Sequence, residues 1–146
     1  MVKKLLNKKI FLDTSIFIYY FEENPNYIKT LDFIFQNINN SKIFAFTSTI
    51  TLTECLVLPF KLKREDLVEL YKNIFIYSKN FELIDITTNI AILGAKIRAD
   101  FSLKTPDSLQ ISSAICHECD IFLTNDSQLK KIDLIEIIIL DKLLRG

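Results

Sequence analysis

The chain has 146 residues, of which 49% are hydrophobic and 25% charged. That length suits one domain with its own core, and the composition excludes a disordered, collagenous or coiled-coil chain. Lys and Arg (18) balance Asp and Glu (18), and there are only 2 Gly, so neither bulk positive charge nor a Gly-rich phosphate loop can carry a function.

Taken in chain order, short β-rich runs alternate with helical patterns. Lys9–Leu12 reads as a strand ending at Asp13, and Thr14–Phe21 as a helix stopped by Asn24, Pro25 and Asn26. Ile28, Leu31, Ile34, Phe35 and Ile38 recur at helical spacing over 27–39. A second strand is predicted over 43–47. A helix capped by Ser48 or Thr49 then runs to about Leu58, just before Pro59. A helix over 65–79, a strand over 81–86 and a helix over Thr88–Phe101 follow. Thr105 reads as the cap of another helix, with Pro106 at its first position and an end near His117. Ile121–Thr124 is a fourth strand, and the unbroken apolar run 135–140 is a fifth, buried on both faces. Strand alternating with helix predicts a three-layer α/β/α domain over 1–146, with a central, mostly parallel five-stranded sheet.

In such sheets ligands bind beyond the C-terminal strand ends. Asp13 follows the first strand, Asp126 follows the fourth, and Asp107 lies in the first turn of a helix. Glu54 has Ile50, Thr51, Val57 and Leu58 at three and four residues' distance, which predicts an inward-facing position. A carboxylate there needs a partner, a metal or a polar cavity, and no Lys or Arg lies one turn away. Two carboxylates ~5 Å apart repel by about 3 kcal/mol at an effective dielectric of ~20. A converging set of four therefore calls for a divalent cation, and oxygen donors select Mg²⁺ or Mn²⁺. Taken singly, Asp13, Asp107 and Asp126 also read as helix caps, first-turn acids or turn residues.

These segments together resemble a PIN domain. The likeness rests on Ile10-Phe11-Leu12-Asp13-Thr14-Ser15, Thr53-Glu54, the run from Thr105-Pro106-Asp107 to Ala114, and Phe122-Leu123-Thr124-Asn125-Asp126-Ser127. Its small size is similar to that of VapC-type toxins. The resemblance implies a Mg²⁺- or Mn²⁺-dependent endoribonuclease. Asp13, Asp107 and Asp126 would hold metal directly or through water, and Glu54 would hold a second metal or orient water. Ser15, Thr124 and Asn125 would support the site, and Arg98 matches a basic position of relatives. An antitoxin protein and a second copy of the chain are the implied partners, with Thr14–Phe21 and 50–58 as the expected contact surfaces.

The remaining signals have competing readings. Lys61, Lys63 and Arg64, with the N-terminal lysines, form either an RNA-facing rim or a solvated loop. Phe17, Tyr19, Tyr20 and Phe21 either stack bases or fill the core. Cys116 and Cys119 have redox-pair spacing but lie at the end of a helix and lack a second pair for zinc. Three cysteines predict a cytoplasmic protein with reduced thiols. Asp13 interrupts the apolar stretch that would otherwise imitate a signal peptide, and no run has the about 20 apolar residues of a membrane span. A PIN nuclease of RNA processing without an antitoxin and an inactive PIN-like binding module remain as alternatives. A receiver-type signalling domain would need paired acids after the first strand, where only Asp13 stands.

Overall fold

The computed structural model describes residues 2–144. Its five strands are β1 (Lys9–Leu12), β2 (Phe44–Ser48), β3 (Phe81–Ile84), β4 (Ile121–Thr124) and β5 (Glu136–Ile139). All strand pairs are parallel, in the order β3-β2-β1-β4-β5. Because β1 is central, the chain builds outward first to one side and then to the other. The reversal falls between β1 and β4, where Ile10, Phe11 and Leu12 pair with Ile121, Phe122 and Leu123. A crevice opens beyond the C-terminal ends of the strands at such a switch point. The order also differs from the 2-1-3-4-5 arrangement of receiver domains, which removes that alternative.

Alternation along the strands builds two apolar layers. Ile10 and Leu12 of β1, with Ile121 and Leu123 of β4, face one core. Phe11 and Phe122 face the other and stack with ring centroids 5.2 Å apart. Helices α1 (Thr14–Phe21), α2 (Ile28–Asn39), α3 (Thr49–Lys61) and α4 (Glu65–Tyr77) cover the first face. Helices α5 (Thr88–Phe101) and α6 (Thr105–Cys116) cover the second. A short α7 (Leu140–Leu144) follows β5 and buries Leu140 and Leu143 in the first core. No helix among the described residues is long and apolar enough to cross a membrane.

Several boundaries depart from the expected ones for identifiable reasons. Helix α3 runs through Pro59 to Lys61. The proline forfeits one backbone bond, but its ring is buried with Thr51 and Cys55 on the same stripe. Lys104, not Thr105, is the N-cap of α6, and Pro106 lies one position further in. β5 stops at Ile139 because Leu140 already begins α7.

The aromatic residues of α1 belong to the core. Phe17 is fully buried, with ring centroids of Phe75, Phe81 and Phe35 at 4.8, 5.7 and 5.8 Å. Tyr20 stacks on Phe35 and Phe21 on Tyr71. No residue of α1 is exposed, so α1 presents little surface to a partner. On the other face, α5 and α6 approach closely at Gly94, where an added Cβ would lie 2.9 Å from Leu109 Cδ2. Phe17→Ala, which empties the centre of the aromatic cluster, is expected to destabilise the protein by about 3–5 kcal/mol in urea unfolding.

Candidate active site

Asp13 caps α1 at the C-terminal end of β1. Its Oδ1 accepts from the Thr14 backbone N–H at 2.9 Å and its Oδ2 from the Thr124 hydroxyl at 2.7 Å. The Thr124 oxygen in turn accepts the Asp126 N–H at 3.1 Å, so one side chain ties the ends of β1 and β4 together. Asp126 caps the next 3-10 turn by accepting from the Gln128 N–H at 3.0 Å. Its carboxylate therefore sits at the rim, fixed by the turn it starts.

Beneath Asp13 lies a buried polar layer that the strand-and-helix pattern does not predict. Gln110 of α6 is its hub. Its Nε2 donates to the Thr51 hydroxyl at 2.7 Å and lies 3.4 Å from both Asp13 Oδ1 and the Thr14 hydroxyl. Its Oε1 accepts from Ser48. The Thr47 hydroxyl is 2.8 Å from the Leu12 carbonyl and 2.7 Å from Thr51 Oγ1. With one proton per hydroxyl, Thr47 donates to the carbonyl and Thr51 donates to Thr47. The spacing held a signal: Gln110 follows Asp107 by one helical turn, and Thr51 precedes Glu54 by one turn.

Glu54 corrects one expectation and keeps another. It is exposed, because α3 buries Thr51, Cys55 and Pro59 and leaves Val57 and Leu58 facing outward. Apolar neighbours on α3 did not mean an inward position. Glu54 nevertheless turns toward Asp13, since its Oε1 accepts from the Thr14 hydroxyl at 2.7 Å. Asp107 is half-buried in the first turn of α6.

Electrostatics link the four acids. Burial pushes Asp13 up from 3.8 to about 6. The Thr124 and Thr14 donors pull it back, and Asp107 pushes it further up. Asp107 is also raised, chiefly by burial and then by Asp126 and Glu54, with Lys104 acting against them. None of the four acids forms an ion pair among the described residues.

The other candidates have different placements. Ser15 Oγ is buried without a hydrogen-bond partner. Asn125 braces the loop instead of an acid. Its Nδ2 donates to the Tyr27 hydroxyl at 3.1 Å and its Oδ1 accepts the Asp141 N–H at 3.0 Å, while Tyr27 donates to Asp141 at 2.7 Å. Arg98 Nε donates to the Leu103 carbonyl at 3.0 Å, which fixes the turn before α6. Lys61 and Lys63 are exposed around the end of α3. Cys119 is buried and its thiol is pushed up to about 12 by burial, which opposes a thiolate and a redox role.

The donor set can be tested for a cation directly. Among the described residues, no group of three or more Asp, Glu, His or Cys side chains is placed to hold a metal ion by itself. Mg²⁺, however, retains several waters and takes one or two carboxylates directly. Carboxylates that raise one another's proton affinity, with oxygen donors only, fit a hydrated hard cation.

Known proteins support the same reading of the fold. Several solved structures align along nearly the whole chain. VapBC2 from Rickettsia felis, bound to a DNA fragment from its promoter, is 19% identical with a TM-score of 0.71 and covers 89% of this chain and 97% of that one. A toxin–antitoxin complex from Klebsiella pneumoniae is 20% identical, with a TM-score of 0.67 and coverage of 90% and 97%. DNA-bound VapBC from Salmonella typhimurium is 23% identical, with a TM-score of 0.64 and coverage of 91% and 98%. A comparison with curated proteins finds no match. The PIN domain family model matches residues 10–135. PIN domains are nucleases that generally use divalent metal ions, and with the match running from within β1 to the residue before β5, this chain belongs to the PIN domain family.

Proposed function

We propose that the protein is a divalent-metal-dependent endoribonuclease that hydrolyses RNA phosphodiesters and is the VapC-like toxin of a type II toxin–antitoxin pair. The observation that carries this reading is the set Asp13, Glu54, Asp107 and Asp126 around one strand-end crevice, with Asp13 oriented by Thr124 and Thr14. Family membership supports hydrolysis, and the toxin–antitoxin neighbours support the biological setting.

Asp13, Asp107 and Asp126 would hold the cation, with Glu54 beside them. When bound, Mg²⁺ or Mn²⁺ supplies an activated water and stabilises charge on the phosphoryl group and the leaving 3′-oxygen. Thr124 and the Thr14 N–H keep the Asp13 carboxylate in one orientation. Glu54 has Oε1 engaged by Thr14, which leaves Oε2 to accept a proton from the attacking water.

The antitoxin would cover the outer face of α3. Val57, Leu58, Phe60 and Leu62 are exposed there, Phe60 by 61%. Beside them a cavity of about 110 Å³ is lined by Leu58, Leu62, Tyr71 and Glu54. An exposed apolar cluster next to an acidic group suits a partner with apolar and basic side chains.

Asp13→Asn is expected to keep the fold and abolish Mn²⁺-dependent cleavage of structured RNA, and a chelator should do the same to the wild type. Mn²⁺ should raise the melting temperature of the wild type and leave that of Asp13→Asn unchanged. Full cleavage by a folded Asp13→Asn protein would refute the assignment. The pH dependence has a definite sign. The folded Asp13 carboxyl titrates near 6, above its unfolded value of about 4. The metal-free folded protein therefore holds the extra proton between these values. Its stability should fall as pH rises from about 4 through about 6, and the Asp13→Asn denaturation profile should show a smaller fall, the raised Asp107 carboxyl supplying what remains.

A further inference from the structure

Next to the crevice, the structure holds a second cavity of about 150 Å³ whose walls carry opposite charges. Asp107 and Asp126 line it, as do Lys104 and Lys131, and the apolar Leu103 and Leu129 contribute as well. Two independent elements bring the lysines there. Lys104 is the N-cap of α6, one turn before Asp107, and Lys131 ends the 3-10 turn that Asp126 caps. Each lysine is thus placed by the same short segment as the neighbouring acid.

Both lysines are exposed, and among the described residues neither side chain forms an ion pair or a hydrogen bond. Some other lysines are engaged, although Lys29, Lys61 and Lys63, like these two, have no side-chain partner among the described residues. Lys130 donates to the Ile137 carbonyl, Lys96 pairs with Asp100 and Lys9 donates to the His117 carbonyl. The approach to Lys104 is also rigid. Ser102 takes the left-handed conformation (φ 55°), its N–H bonds the Arg98 carbonyl, and the Arg98 side chain bonds the Leu103 carbonyl. Arg98 therefore acts on this cavity by holding the turn that presents Lys104.

We propose that this cavity binds a backbone phosphate of the RNA next to the one being cleaved, with Lys104 and Lys131 as its cationic contacts. The inference rests on the nuclease reading of the adjoining acids. Chemically, the acids alone repel a polyanion, so the strand needs positive charge close by to approach a carboxylate floor. Ammonium groups serve as point charges for phosphate. A group one cavity away fixes the register of the strand without touching the reacting atoms, so Lys104 and Lys131 are positioning residues.

The test compares Lys104→Gln/Lys131→Gln with wild type, with Lys104→Arg/Lys131→Arg, and with Lys29→Gln/Lys96→Gln, which removes the same charge elsewhere. Cleavage of a single-stranded RNA in Mn²⁺ gives KM and kcat. Anisotropy of the same RNA on each variant, in an Asp13→Asn background, gives the salt dependence of binding. The Gln pair should raise KM about tenfold with kcat little changed. It should also lower the slope of log K against log salt by about 1.4, or ~0.7 per lysine. The Arg pair should restore most of both. If wild type cleaves and binds RNA but the Gln pair matches it in KM and slope, this inference fails and the nuclease reading stands. An equal loss in the Lys29/Lys96 variant also overturns it, as an effect of bulk charge. If wild type neither cleaves nor binds RNA, both readings fall together.

Discussion

Burial of carboxylates, reinforced by the charge of neighbouring acids, sets the character of the strand-end crevice. Burial pushes Asp13 and Asp107 toward their protonated forms, Asp107 adds to the effect on Asp13, and Asp126 and Glu54 add to it on Asp107. Lys104 offsets this in part at Asp107, but at Asp13 and Glu54 the fold does not rely on lysine or arginine. It uses neutral donors: the Thr124 hydroxyl, the Thr14 N–H and the more distant Gln110 amide on Asp13, and the Thr14 hydroxyl on Glu54. The choice matters physically. An ammonium at the centre would satisfy the acids permanently and compete with any divalent cation. Hydroxyls and amides orient the oxygens but leave the charge for something else to neutralise.

The sheet makes this arrangement possible. Placing β1 in the middle and reversing direction at β4 brings Asp13 and Thr124 to the same end of adjacent strands. The two cores then fix the helices that carry the other acids. Cys55 and Pro59 anchor α3 on one side, and Ile111 and Ala114 anchor α6 on the other. Gln110 bridges the halves, since it reaches from α6 to Ser48 and Thr51. The polar hub is thus as much a packing element as a brace beneath Asp13, and its hydrogen bonding is what permits its burial.

Much of the fold was legible because the strands obey simple rules. Ile10, Phe11 and Leu12 alternate between two buried faces, and the apolar run before Leu140 marks a strand covered on both sides. Asp13 and Asp126 were legible from their positions directly after strands. What failed was reading local composition as orientation. Val57 and Leu58 looked like core and are exposed, so the inward placement of Glu54 was wrong. Pro59 looked like a stop, yet burial of its ring lets α3 continue. Gln110 was passed over because its importance depends on Ser48 and Thr51, which tertiary packing alone brings within reach. The Tyr27–Asn125–Asp141 brace joins three separate elements and has no signature at the level of spacing.

The two sides of the crevice offer different physical handles. The α3 side is apolar, with Val57, Leu58 and Phe60 outward beside Glu54. The α6 side is cationic, with Lys104 and Lys131 beside Asp107 and Asp126. A polyanion gains from the second and little from the first, whereas a protein surface gains from burying the first. A polyanion and a protein approaching these two sides would meet over the same acids, so occupancy of one side would bear on access to the other. Proteins concentrate violations of local rules where function requires them. Here buried acid charge, exposed apolar side chains and unpaired lysines lie around one strand-end crevice, while the rest of the chain follows the ordinary pattern of a covered parallel sheet.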